Sequence, residues 1–289
     1  GGRWVVGEVA VVGPTVGGMT AGDERQRAVI KRAAEVLPAD ERVLGVYLIG
    51  SYATGSADRF SDVDVHLVVT DDSTDWYTEH WDDVLRELTG PTVLADRLPG
   101  MIGGLGITPD WLHVDLIVHP LAGFDRFQYD GVKVLFDRDG RLFPEGDVEP
   151  RGGRPTEPYW PAAAVNLFFY FLGNLVTVLG RDERVVANQG IGAVRDQLVA
   201  LMLAERGVRR TSGAKRLNAL LSDEQRAVLE AIPAAGTDPS DIVAANLYIC
   251  RDFIARGTAL AELTGNTWPA EFVDATLQHL RNHFGVDFS

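Results

Sequence analysis

The sequence predicts an α+β chain in which a small mixed sheet with flanking helices is followed by an all-α helical bundle. Two observations carry this. Between residues 43 and 136, short runs rich in Val, Ile and Leu alternate with helix-period segments and turn residues. From Phe143 to Pro161 the composition shifts to Pro, Gly, Glu and Arg, and beyond it strand signals vanish. With 46% hydrophobic residues over 289 positions, there is apolar material for two cores of ordinary size.

The elements follow in order. Residues 1–22 read as an N-terminal extension, with Met19 as a candidate natural start; they show neither the basic start nor the continuous apolar stretch of a secretory signal. An α+β domain is expected over 23–145. Its first helix, Asp23 to Leu37, has Ala28, Val29, Ile30, Ala33, Ala34 and Leu37 at helical spacing and ends at Pro38. Val43 to Ile49 reads as a buried strand, Val63 to Val69 as the next, and Asp75 to Leu88 as a helix. Further strands are expected at Thr92 to Leu98, Trp111 to Val118 and Val132 to Phe136, with Pro99 to Pro109 as a Gly-rich loop.

The second domain is expected over 146–289. Its predicted helices are Ala162 to Leu179, Val194 to Arg206, Ala214 to Leu221, Glu224 to Ala231, Ile242 to Leu263 and Ala270 to Phe284. Ser222-Asp223-Glu224 and Asp238-Pro239-Ser240-Asp241 are credible helix starts. Pro161 to Gly180 has no charge and is long enough to span a bilayer, but it carries Asn166, Gly173, Asn174 and Thr177 and lacks basic flanks. It therefore reads as the buried central helix of the bundle. Most aromatics of this half, among them Tyr159, Trp160, Phe168, Phe169, Tyr170 and Phe171, are assigned to its core.

A net charge of −14 disfavours nucleic acid as a partner and would suit a cationic one. The single cysteine, Cys250, excludes a disulfide framework and a Cys-based zinc site within the chain, and it reads as a buried structural thiol. This composition fits a reducing, cytoplasmic setting.

Chemistry concentrates at one corner. Leu48-Ile49-Gly50-Ser51 ends the first strand, and Ser61-Asp62-Val63-Asp64-Val65-His66 opens the next. Strand alternation puts Asp62, Asp64 and His66 on one face, with successive acids about 7 Å apart along the chain. Paired carboxylates at a buried strand end repel unless a hard cation neutralises them, and Mg²⁺ takes oxygen ligands of this kind. Gly50 lets backbone approach a ligand closely, and the Ser51 hydroxyl with neighbouring N–H groups can hold phosphate oxygens. A third acid, Asp115, sits in Leu112-His113-Val114-Asp115-Leu116-Ile117-Val118, on the face opposite Leu112, Val114, Leu116 and Val118. His113 and His119 read as structural or supporting groups, because Mg²⁺ prefers oxygen.

Gly50-Ser51, then Asp62-x-Asp64, then a strand bearing Asp115 resembles the signature of the nucleotidyltransferase superfamily typified by DNA polymerase beta. The resemblance spans most of residues 43 to 118. A catalytic domain followed by a helical one further resembles the antibiotic nucleotidyltransferases that adenylylate lincosamides or aminoglycosides. The Tyr47 to Tyr52 approach and the closing Phe272 to Phe284 helix look most like the lincosamide group.

The resemblance implies several expectations. Asp62, Asp64 and Asp115 would be catalytic and metal-binding, with two Mg²⁺ ions and ATP or another nucleoside triphosphate. Gly50, Ser51, Thr54 and Ser61 would contact the nucleotide. Asp115 would be either a ligand to a second ion or the general base for an attacking hydroxyl, and the bundle would bind a small-molecule acceptor. Apart from the resemblance, acids outside the signature, such as Asp96, Asp110 and Glu157, read as solvated surface charges that could also attract a cationic amino sugar. Enzymes of this layout often pair, so a homodimer is compatible with it. A transferase acting on protein or tRNA, and a non-catalytic nucleotide-binding module, are the alternatives; retention of all three acids argues against the second.

Overall fold

The structure, a computed structural model, describes residues 21–126, 129, 131–149, 156–209 and 217–288, with no side-chain description for 21–23. The extension expected over 1–22 lies outside the described residues as far as residue 20. The chain divides into two compact units at Pro150/Arg151.

The first unit is mixed α+β. Helix α1 (Ala21–Val36) is followed by strand β1 (Val43–Leu48), the short helix α2 (Gly50–Ala53), strand β2 (Val63–Val69) and helix α3 (Thr74–Thr89). Strands β3 (Leu94–Arg97), β4 (Ile102–Ile107), β5 (His113–Pro120) and β6 (Lys133–Asp137) complete a six-stranded sheet of order β3-β4-β5-β2-β1-β6. Only the β2–β5 pair is parallel.

Alternation decides which face each residue serves. Val63, Val65, Leu67 and Val69 of β2 and Val114, Leu116 and Val118 of β5 pack with Val29, Ala33, Tyr77, Trp81 and Leu85 from α1 and α3. Trp81 is fully buried there, and its indole N–H donates to the Leu116 carbonyl at 2.9 Å. The opposite face carries an aromatic cluster of Tyr47, His66, His119, Phe124, Tyr129 and Phe143. His66 shares the face of Asp64, as alternation requires, but it is buried and its Nδ1 lies 2.9 Å from His119 Nε2, one ring donating to the other. Burial, then the neighbouring His119, pushes its pKa down to about 3.

The Gly-rich segment expected as a loop contains a strand instead, and close packing explains why. In β4, Ile-Gly-Gly-Leu-Gly-Ile, a Cβ on Gly104 would lie 2.0 Å from the Asp96 carbonyl of β3. One on Gly103, whose φ is +143°, would lie 2.3 Å from the Leu116 carbonyl of β5, and one on Gly106 2.7 Å from Leu85. These residues are weak strand formers that the neighbours demand.

The second unit contains α4 (Ala162–Gly180), α5 (Arg184–Glu205), α6 (Asp223–Glu230), α7 (Pro239–Thr264) and α8 (Ala270–Phe284). Helix α5 begins ten residues before the predicted start at Val194. Its opening turns are poor in strong helix formers but are fixed by burial of Ala187. The helix expected at Ala214 to Leu221 is not formed over the described part, 217–221, which is turn, and residues 214–216 lie outside the described residues. Ser222 and Gln225 form a capping box, and the Asp238 side chain caps α7. Helix α4 is long and apolar enough to cross a membrane by length and composition, yet its Phe168, Phe169 and Leu172 are fully buried against α5 and α7. The Phe168 and Phe253 rings stack with centroids 3.6 Å apart, whereas Tyr170 is exposed. Cys250 is buried, which pushes its thiol up to about 12, as a structural thiol requires.

The β4 geometry gives a stability prediction. Gly104→Ala should cost about 1–3 kcal/mol through overpacking, measured as the urea midpoint. An unchanged midpoint would contradict the close approach of β3 and β4.

Candidate active site

The site is built where β1 ends and the two parallel strands begin. Their register sets Asp64 directly opposite Asp115, so the two side chains stand side by side on the same face of neighbouring strands. Asp62 precedes β2 by one residue. Oxygen atoms of Asp62, Asp64 and Asp115 all lie within 4.8 Å of one another, and all three residues are half-buried.

Two neighbours shape this cluster. Gly50 follows β1 with φ +64°, and a Cβ there would lie 2.4 Å from Asp64 Oδ2, so both backbone conformation and carboxylate demand glycine. The next residue, Ser51, has its hydroxyl oxygen buried without a hydrogen-bond partner among the described residues. A buried hydroxyl without a partner is costly unless a ligand supplies one. His113 brings both ring nitrogens toward the acids, with Nε2 2.8 Å from Asp115 Oδ1 and Nδ1 3.7 Å from Asp62 Oδ2. In that geometry Nε2–H donates to Asp115.

The remaining predicted residues lie on the adjoining turns. The Thr54 hydroxyl is exposed and 2.8 Å from Ser56 Oγ. Ser61 Oγ accepts from the Asp58 N–H at 2.9 Å and donates to Asp58 Oδ1 at 3.2 Å, so in this structure it shapes the turn before Asp62. Gln26, which sequence reasoning missed, braces the same turn by donating from Nε2 to the Asp58 and Ser61 carbonyls. Its signal was a polar residue at i−3 and i−7 from Val29 and Ala33 on the apolar face of α1. Asp110, one of the proposed attracting acids, is paired with Arg25.

Electrostatics distinguishes Asp64. Burial first, then the charges of Asp62 and Asp115, push its carboxyl up to about 7. Three acids this close, each supplying oxygen, fit a hard divalent cation such as Mg²⁺, and the orphaned Ser51 hydroxyl beside them fits a phosphate oxygen. Residues 30–94 match the family model described as Nucleotidyltransferase domain. No curated protein gives a significant sequence match. Among solved structures, the chain is similar to an aminoglycoside 6-adenyltransferase from Bacillus subtilis, at 14% identity and TM-score 0.42, covering 91% of this chain and 99% of the other. It is also similar to a nucleotidyltransferase-like protein from Exiguobacterium sibiricum, at 12% identity and TM-score 0.35, covering 90% and 88%.

The Asp64 shift sets a pH dependence for the metal-free protein. Because the folded-state pKa is raised, the stability contributed by protonated Asp64 is present below its ordinary 3.8 and is lost as pH rises through about 7. In EDTA, Asp64→Asn should therefore melt a few degrees above wild type at about pH 8 and lose that advantage by about pH 5. An advantage that grows as pH falls would contradict the assignment.

Proposed function

From a chain that carries a nucleotidyltransferase domain over residues 30–94, we propose that it transfers a nucleoside monophosphate, AMP from ATP, to a hydroxyl of a small-molecule antibiotic of the lincosamide or aminoglycoside class, releasing pyrophosphate. One observation carries the reaction class: three carboxylates within 4.8 Å, set by the β2–β5 register beside Gly50 and the orphaned Ser51 hydroxyl. The acceptor class rests on the sequence resemblance and on the net charge of −14, which suits a cationic amino sugar and opposes a nucleic-acid acceptor. A reducing cytoplasm, where ATP is made available, suits the buried thiol of Cys250.

Asp62 and Asp64 would hold Mg²⁺, with Asp115 as the third ligand to a two-ion site; the ions would neutralise phosphate charge as it shifts. Backbone at Gly50 and the Ser51 N–H and hydroxyl would fix the phosphate oxygens, with Thr54 and Ser61 on the flanking turns. The acceptor oxygen attacks the α-phosphorus as the bond to the bridging oxygen breaks, and pyrophosphate leaves with that electron pair. In the alternative role, Asp115 would be the general base that takes the hydroxyl proton. His113, donating to Asp115 Oδ1, would leave the other carboxylate oxygen for the proton or a ligand. Catalysis of this kind is mainly positioning and charge neutralisation. The helical unit, residues 151–289, would supply the acceptor site, and a homodimer remains compatible with the reading.

The test is a pyrophosphate-release screen with ATP or GTP, Mg²⁺, and lincosamide and aminoglycoside acceptors. Asp62→Asn and Asp64→Asn should each lower kcat by about a thousandfold or more, a loss of charge stabilisation, while far-UV circular dichroism stays native. Substantial turnover by either variant would remove the metal assignment. Turnover with tRNA or protein acceptors alone would replace the antibiotic reading.

A further inference from the structure

Trp111 and Phe60 are large aromatic residues left in solvent on the two segments that lead into the acid-bearing strands. Trp111 is 80% exposed and Phe60 71%. Trp111 stands two residues before His113, and Phe60 two before Asp62. Each also stands three residues before the Val63–Val114 pair of the parallel strands. The two rings therefore belong to equivalent lead-in segments of the strands that bear the acids.

Trp111 is also held in an expensive conformation. Its φ is +63°, in the left-handed region that Gly and Asn favour and a bulky side chain avoids. The turn around it is over-determined. The Trp111 N–H donates to the Thr108 carbonyl at 2.9 Å, and the Thr108 N–H to the Leu112 carbonyl at 3.0 Å. The Leu112 N–H donates to Thr108 Oγ1 at 2.9 Å, and Arg25 donates to the Asp110 carbonyl at 2.9 Å. Glycine would satisfy every one of these main-chain bonds without strain. Strain that persists in such a setting, for a ring that contributes no burial, points to a use outside the fold. On the other lead-in, the Arg59 guanidinium lies over the Phe60 ring, 4.4 Å from its centre, and places a positive charge beside the exposed aromatic.

We propose that Trp111, supported by Phe60 and Arg59, is the platform on which the nucleobase of the bound triphosphate stacks. The inference rests on the nucleotidyl-transfer reading of the acid cluster. Gly50, Ser51 and the acids offer only phosphate and cation contacts, so they cannot hold the base. A planar ring is recognised best by another planar ring, and base–aromatic stacking tolerates different bases. Trp111 is thus a binding residue for the nucleotide that takes no part in proton transfer.

Calorimetric titration in Mg²⁺ with ATP and with inorganic tripolyphosphate tests this on the full chain. Trp111→Gly should weaken ATP by about five- to 150-fold, the range that stacking supplies, and leave tripolyphosphate affinity unchanged. Trp111→Phe should retain most of the ATP affinity. Trp111→Gly should also melt at or above the wild-type temperature, because the strain is gone. Trp111→Asn, which also tolerates the left-handed region, is the second variant and should behave like the glycine. Unchanged ATP affinity in both, or equal loss of ATP and tripolyphosphate, would overturn the stacking role. Wild-type protein that binds neither ligand would overturn the nucleotidyl-transfer reading itself, an outcome distinct from either of these.

Discussion

The parallel pairing of β2 with β5 is the constraint on which the rest of the first unit depends. It is the only parallel contact in the sheet, and its register places Asp64 opposite Asp115. Two carboxylates on adjacent strands repel, and Asp62 brings a third charge into the same space. The sheet tolerates that because one face of these strands is anchored in a valine and leucine core against α1 and α3, while the other packs buried His66 and half-buried His119 among aromatic rings just beyond the acids. Apolar packing on both sides thus holds together a cluster that electrostatics alone would push apart.

The same arrangement separates two kinds of histidine on one face. His66 lies inside the aromatic cluster, where burial keeps it neutral and its ring pairs with His119. His113 stands at the open end of β5 and reaches Asp115 directly. Their difference follows from position along the strand: the middle of β2 is covered, whereas the N-terminal ends of β2 and β5 carry half-buried residues. Stability is concentrated in the covered part, and polar chemistry is concentrated at the uncovered edge, where Gly50, Ser51 and the acids meet.

Much of this was legible in the sequence, because strand alternation is a local signal. Val63, Val65 and Leu67 against Asp62 and Asp64, and Val114 and Leu116 against Asp115, reveal the acid face without reference to any other segment. The elements that sequence reasoning misplaced are those fixed by contacts from elsewhere. Strand β4 reads as a loop because three of its six residues are glycine, and only the carbonyls of Asp96 and Leu116 and the side chain of Leu85 explain why no larger residue fits. The first turns of α5 are poor helix formers held by packing of Ala187. Gln26 showed only as a polar residue on an apolar helix face, because its partner lies 35 positions away, and the left-handed backbone at Trp111 is a dihedral angle with no local signal.

If the three acids and Ser51 form one cation-and-phosphate site, nucleotide binding must depend on the cation. The most direct measurement is the melting temperature of the full chain with saturating ATP, with and without Mg²⁺, beside Asp115→Asn under the same conditions. Stabilisation by ATP should require Mg²⁺ and should be largely lost in the variant. Equal stabilisation by ATP in EDTA, or full stabilisation of Asp115→Asn, would contradict a shared three-carboxylate site.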